Sequence, residues 1–381
     1  MTSGRIPGDP NKHIRRRFAH AVASRAREMT EIVFSSSIIL TMRSQLVGPT
    51  PQKVPMSKLM LLAALTALGV ASPDLVRADD EPVETQIVDA MNKAFGTHPG
   101  FRANHAKGVV VEGSFKASLQ AAALSKADLF NGSTIPVTVR FSDATGIPNL
   151  PDGSDAANPH GMAIKFHLSG GSDTDMVINS LKFFPVSNGA DFRDLILALA
   201  ASPPNAAKPT KFEQFVATHP TVPAAFATVS TPDSFADEEY YGINAFVFVN
   251  KAGERQAVRY QMVPQRVVHL EPADAAKRAP DFLMDELPER LKRGPVTFHL
   301  NVQLAAPGDS TTDPARPWPD DRKVVDLGEL TIDKAVANSA EVQKTLLFLP
   351  GQLTDGIEQS DDPLIDVRNG AYAVSFSRRN P

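Results

Sequence analysis

The sequence predicts an α+β fold: an antiparallel sheet, long enough to curl closed, with helices inserted between and after its strands. Three observations carry this expectation. Segments alternating with period two dominate the first two thirds of the chain beyond residue 78. Tyr241–Asn250 and Glu254–Val263 both alternate and flank Lys251-Ala252-Gly253, the pattern of a hairpin. No repeat or low-complexity block interrupts residues 79–381, which read as one domain.

The elements follow in order. Residues 81–95 space apolar side chains three and four apart, predicting an amphipathic helix stopped at Gly96. His98-Pro99-Gly100 turns the chain into a loop that carries His105 and feeds a strand through Val109, Val111, Gly113 and Phe115. A helical or loop connection over Ala117–Phe130 leads to the strand Ile135–Ser142. Residues 143–159 are rich in Gly, Pro, Asp and Asn and read as an exposed loop. Gly161–Leu168 and Asp175–Asn179 are strands separated by Gly170-Gly171-Ser172, and Asp191–Ala200, Lys211–Thr218 and Val222–Thr228 are helical. After the hairpin, Pro272–Arg293 reads as a charged helical region interrupted by Pro280 and Pro288. Val296–Leu304 and Val324–Ile332 are strands, with an extended proline-rich stretch at 313–321 between them.

A chain of 381 residues can bury a large core. Its net charge of −4 hides an asymmetry: residues 1–78 hold 11 basic and 4 acidic side chains, the rest 28 basic and 39 acidic. An acidic body argues against nucleic acid as a partner. The basic leader fits targeting. Met56-Ser57-Lys58 and the apolar run Leu59–Val70 have the anatomy of a signal peptide (56–78), with cleavage expected after Ala78. The run is shorter than the roughly 20 residues of a membrane span, so a periplasmic or secreted destination follows. Residues 1–55 read either as a twin-arginine-like signal, on Arg15-Arg16-Arg17-Phe18, or as sequence upstream of a true start at Met56; the second reading is preferred. The absence of cysteine excludes disulfides and thiol chemistry.

Several polar residues stand out. His105 taken alone would more often be a structural histidine. It is followed by Arg140-Phe141-Ser142 in the second strand, Asn179 in another, and Arg368 with Tyr372 near the C-terminus. Asp361-Asp362-Pro363 starts a helix, and Leu364, Arg368 and Tyr372 then fall on one face. An arginine and a tyrosine one turn apart can simply stack at a surface. The chemical alternative is a phenol made acidic by a cation and a metal. His98 and His105, and likewise His160 and His167, lack zinc-type spacing, and no phosphate loop or Gly-x-Ser-x-Gly elbow is present.

This set, in this order, resembles the haem catalases and, by its short length, the catalase-related peroxidases. Phe348, Pro350, Leu353, Gly356-Ile357, Asp313-Pro314 and Trp318-Pro319 fit the same frame, and the resemblance covers nearly all of 95–379. It implies an antiparallel eight-stranded β-barrel of the haem catalase type with surrounding helices, holding haem b. It implies Tyr372 as axial ligand of the haem iron, with Arg368 supporting the phenolate; a thiolate ligand is ruled out by composition. On the other face it implies His105 as acid and base, Ser142 fixing the ring, and Asn179 donating to the peroxide. Arg102 and Arg140 match positions that meet haem propionates, and Phe184, Phe192 and Leu364 positions that pack on the porphyrin. Two departures matter. Ser180 replaces the second asparagine of the family frame, leaving a one-residue shift open at Asn179. Asn244 stands where large catalases often carry histidine, so hydrogen bonding beside the tyrosine is expected to differ.

The function implied is a haem-dependent peroxidase that reduces organic peroxides, and hydrogen peroxide too, while oxidising a donor. A catalase dismutating hydrogen peroxide is the first alternative, and a non-catalytic periplasmic haem- or lipid-binding barrel the second. The expected partners are a small-molecule peroxide and an electron donor, with no nucleic acid and no membrane span after leader removal. A homodimer is compatible with the sequence.

Overall fold

Burial of the alternating strands explains the architecture. In β2 (Thr134–Asp143) Ile135, Val137, Val139 and Phe141 are buried in turn, and in β3 (His160–His167) Met162, Ile164 and Phe166 are. A computed structural model describes residues 81–379, so the leader, its cleavage after Ala78 and the start at Met56 lie outside the described residues. The remaining strands are β1 (Gly108–Ala117), β4 (Asp173–Asn179), β5 (Tyr240–Tyr241), β6 (Phe246–Val249), β7 (Arg255–Pro264), β8 (Val296–Leu304), β9 (Val324–Ala335) and β10 (Ile357–Gln359). The helices are α1 (Val83–Phe95), α2 (Ala121–Leu124), α3 (Gly189–Ala200), α4 (Lys211–Thr218), α5 (Thr221–Phe226), α6 (Pro272–Ala275), α7 (Phe282–Leu291), α8 (Ser339–Thr345) and α9 (Leu364–Arg379).

All strand pairs are antiparallel, in the order β10-β6-β7-β5-β4-β3-β2-β1-β9-β8, and β7 pairs β8 as well. That last pairing closes a barrel of eight strands: β1, β2, β3, β4, β5, β7, β8 and β9. β6 continues β5 along the same side of β7. The seam is thin between β4 and β5, where Asn179 facing Tyr241 is the one registered pair. Closure needs tight curvature between β1 and β9, where the register shifts after Glu112. Gly113 permits it, since a Cβ there would lie 2.0 Å from the Thr331 carbonyl oxygen.

The interior is aromatic. Phe141 stacks on Phe235 with centroids 5.5 Å apart, and Phe115 meets Phe166 edge-on at 5.6 Å. Phe115, Phe141, Phe166 and Phe298 are each within 1% of full burial, worth roughly 1.5–3 kcal/mol apiece. Outside the barrel, α1 buries Ile87, Val88, Ala90 and Met91 against α3 and α9, and Gly96 stops it in a left-handed conformation (φ 86°). Asn188 caps α3 by accepting from Asp191 N–H at 2.8 Å, and Thr210 with Glu213 forms a capping box on α4.

Four local expectations need correction. Residues 143–159 do form a loop, but a largely buried one: Asp143, Thr145, Leu150, Asp152 and Ala157 are withdrawn from solvent, and Asn149 and Pro151 are its exposed positions. The strand Tyr241–Asn250 is broken: Gly242–Ala245 leave the ladder, because Asn244 turns away to bond Asp362 and Arg368. Pro280 does separate α6 from α7, but Pro288 lies inside α7, held there by the buried face Leu283, Leu287 and Leu291. Residues 339–345 and 357–359, given no element from sequence, form α8 and β10. Among the described residues no helix is long and apolar enough to cross a membrane.

Candidate active site

The adjoining ends of β2 and β3 build one side of a slot. Ser142 and Gly161 are register partners there. His105, on the loop before β1, adopts a left-handed backbone (φ 56°), which brings its Nδ1 to 3.1 Å from Ser142 Oγ. The Arg140 guanidinium secures that turn by donating to the His105 carbonyl at 2.8 Å. Gly161 leaves room for the ring: a Cβ there would sit 2.9 Å from both the imidazole and Ser142 Oγ. Burial, then the positive charges of Arg140, Arg102 and Arg368, push the His105 imidazole down to about 3. It is therefore a neutral base at ordinary pH.

Asn179, at the end of β4, lines the slot, and its Oδ1 accepts from Leu181 N–H at 2.9 Å. That leaves the amide nitrogen as the available donor. Ser180, the neighbour left open by the sequence, is buried and accepts from the His160 N–H at 3.0 Å.

Helix α9 forms the facing side. Asp362 initiates it, accepting from Leu364 N–H at 2.9 Å while its other oxygen accepts from Asn244 at 2.7 Å. Arg368 donates to Tyr372 Oη at 3.2 Å, to the Val177 carbonyl at 3.1 Å, and to Asn244 Oδ1. Asn244 thus bridges Asp362 and Arg368, the support of the tyrosine, as the departure at that position led one to expect. The Val177 contact fastens α9 to the barrel strand beside the seam.

Between these two sides lies about 1150 Å³ of empty space, its open mouth included. His105, Ser142, Asn179, Arg368 and Tyr372 all line it, as do Phe184, Phe192 and Leu364. The rings of Phe184 and Phe192 are 5.1 Å apart. Arg102 and Arg140 line it too, joined by Arg379. Burial lowers the proton affinity of all three guanidiniums, Arg140 to about 9 and Arg379 to about 10, and their mutual repulsion adds to this at Arg102 and Arg140. Among the described residues none of the three pairs with a carboxylate; Arg102 and Arg379 donate to the Leu346 carbonyl at 2.8 and 2.7 Å, and Arg140 to Gln343 at 3.0 Å. Three clustered cations with no acid form a cradle for an anionic group.

All ten residues singled out from sequence are gathered in this slot. Four contributions were missed. Arg379 continues the face Leu364, Arg368, Tyr372 and Ser375 of α9, so helical periodicity could have found it. Gly161 and the apolar α1 residues Ile87, Val88 and Met91 gave no local signal, because only packing brings them here. Asn104 also lines the slot, with a buried Oδ1 that has no hydrogen-bond partner. Two of the other histidines considered are engaged elsewhere: His98 bonds the Phe95 carbonyl, and His167 bonds Asp173 and Thr138. No group of metal-ligating side chains occurs among the described residues.

A closed antiparallel barrel, with a slot between a hydroxyl-anchored histidine and a helix carrying an arginine-bound tyrosine, defines a catalase-type protein. The chain belongs to the catalase family, whose model, described as Catalase, matches residues 86–380. It is 37% identical over 299 residues to the catalase-related peroxidase of Mycolicibacterium paratuberculosis, covering 77% of this chain and 94% of that one. It is 33% identical over 324 residues to the catalase-related peroxidase of Synechococcus elongatus, covering 84% and 94%. Similarity to catalase-2 of Bacillus subtilis is lower, 28% over 294 residues, covering 71% of this chain but 42% of that one. The crystal structure of a fungal catalase shares the fold with a TM-score of 0.66 at 21% identity, covering 83% of this chain and 66% of the other.

Proposed function

We propose that this chain is a periplasmic or secreted haem peroxidase that reduces organic peroxides, and hydrogen peroxide as well, while oxidising a donor. One observation carries the reading: a single slot is lined by a neutral imidazole held on a serine and by a phenol held on an arginine. Kinship with two catalase-related peroxidases supports it.

Haem b suits this lining. Arg102, Arg140 and Arg379 supply cations for two propionates, Phe184, Phe192 and Leu364 supply apolar walls, and Tyr372 supplies an oxygen ligand for iron. When bound, haem supplies the iron that passes electrons from the donor to the peroxide. The chain's own residues handle protons and orientation. Tyr372 would hold the iron through its phenolic oxygen, which accepts from Arg368 at 3.2 Å. His105, neutral and oriented by Ser142, takes the proton from one peroxide oxygen and delivers it to the other. The amide nitrogen of Asn179 donates to the peroxide and polarises it without adding charge. The reaction balances as ROOH plus two electrons and two protons giving ROH and water.

Three measurements test the proposal. The absorption spectrum of the purified chain should show bound haem whose iron has an oxygen-donor ligand from the protein. Oxidation of a dye donor with an organic hydroperoxide should exceed oxygen release from hydrogen peroxide; abundant oxygen without donor turnover would favour the dismutating catalase instead. Sequencing the exported protein's N-terminus should begin at Asp79.

A further inference from the structure

Behind the slot lies a polar cluster that the chemistry above does not use. Asp143 and His160 are register partners at the ends of β2 and β3, and both are fully buried. Their side chains point away from the slot, His160 packing edge-on to Phe235 at 5.7 Å. His160 Nε2 lies 3.6 Å from Asp143 Oδ1. Both carboxyl oxygens and both ring nitrogens have no fixed partner, four stranded polar atoms in one place. Such a concentration is costly unless a hydrogen is shared among them.

A second carboxyl completes the picture. Asp152, also fully buried, lies close enough that its charge weighs on the Asp143 carboxyl. Its Oδ1 is held by the Lys107 ammonium and its Oδ2 accepts from Leu283 N–H at 2.7 Å. Lys107 also donates to the carbonyls of Leu150 and Pro280 at 3.0 and 2.9 Å and pairs with Asp281 at 2.7 Å. Two carboxylates this close cannot both ionise beside a single ammonium.

We propose that Lys107, Asp152, Asp143 and His160 form one buried hydrogen-bonded chain that positions His105. The Asp143 carboxylic acid donates to Asp152, and His160 Nε2–H donates to the other Asp143 oxygen. The ammonium of Lys107 balances the Asp152 carboxylate. Three of the four members lie close in sequence to a slot residue: Lys107 two beyond His105, Asp143 adjoining Ser142, His160 adjoining Gly161. The Asp143 N–H itself donates to the Lys107 carbonyl at 3.2 Å, tying the loop that carries His105 to β2. The chain therefore fixes, from behind, the three points that hold the imidazole. Burial and the neighbouring Asp152 charge hold the Asp143 carboxyl well above the usual carboxylate range, against the pull of Lys107 and Arg140. Burial, then His105 and His269, keep the His160 imidazole neutral down to about 3.

The inference rests on His105 acting as the proton-transferring base, yet its structural half is read independently of activity. Infrared spectra of the full chain with isotope-labelled aspartate should show a protonated carboxylic acid band at neutral pH. That band should vanish in Asp143→Asn and shift in His160→Gln. Asparagine reproduces both links, donating to Asp152 and accepting from His160, so Asp143→Asn should keep kcat within about twofold. Asp143→Val, which removes both links at similar volume, should lower kcat at least about tenfold while KM for the peroxide changes little. An absent band, or a tenfold loss of kcat in Asp143→Asn, overturns the chain. An intact band with no change of kcat in Asp143→Val keeps the hydrogen bonds but overturns their positioning role.

Discussion

The Arg368 guanidinium joins the Tyr372 hydroxyl at 3.2 Å to the carbonyl of Val177, 191 residues earlier, at 3.1 Å. One side chain thus both polarises the phenol and pins its helix to barrel strand β4. The phenol's chemistry and its position are set by the same contact.

Replacing Tyr372 by phenylalanine removes the oxygen but little volume. The variant should fold, with far-ultraviolet dichroism unchanged, and lose the oxygen-ligated haem spectrum together with peroxidase turnover. Retention of the wild-type spectrum would show that another group holds the iron.

His105→Ala should lower peroxide-dependent donor oxidation by about 10²–10⁴-fold, the usual worth of a positioned acid–base group. Gly161→Ala offers a second route to the same group. Its Cβ would crowd the ring at 2.9 Å, so His105 must move, costing on the order of 10²-fold. Steady-state kinetics on both variants, with the haem spectrum intact, checks the assignment.

The buried His160 makes a contribution to stability that acid removes. The buried His160 imidazole stays neutral down to about 3 when folded, whereas in the unfolded chain it gains a proton near 6.5. Between those values the unfolded state binds more protons, so stability falls as pH drops, by about 1.4 kcal/mol per unit at most from this residue, and is flat above 6.5. The difference in urea midpoint between wild type and His160→Gln should move against the wild type as pH falls from 7 to 4, since the variant lacks this contribution.

Arg379→Ala should loosen the cofactor rather than slow chemistry. Losing one charge-assisted contact, worth about 1.5–3 kcal/mol, predicts a roughly 10–100-fold faster transfer of haem to an acceptor protein such as apomyoglobin. An unchanged transfer rate would remove Arg379 from the cradle.

Much of this was legible along the chain. Alternation in Ile135–Ser142 and Gly161–Leu168 gave strands that the structure shows within a residue or two, and helical spacing put Leu364, Arg368 and Tyr372 on one face. Where sequence misled, a distant partner was the reason. Residues 242–245 alternate like a strand, but Asn244 is drawn off the ladder by Asp362 and Arg368 from the far end of the chain. Pro288 reads as a breaker, yet three buried leucines keep α7 intact around it.

The sequence by itself determined the elements and the kinds of side chain available for chemistry, because periodicity and residue type are properties of neighbours along the chain. Only the tertiary structure decided that β7 meets β8 to close the barrel. It also decided that His105 rests on Ser142 beside Gly161, and that Arg379 joins Arg102 and Arg140. Those are meetings between segments far apart in sequence, selected by the shared burial of aromatic faces and by the pairing of polar groups withdrawn from water.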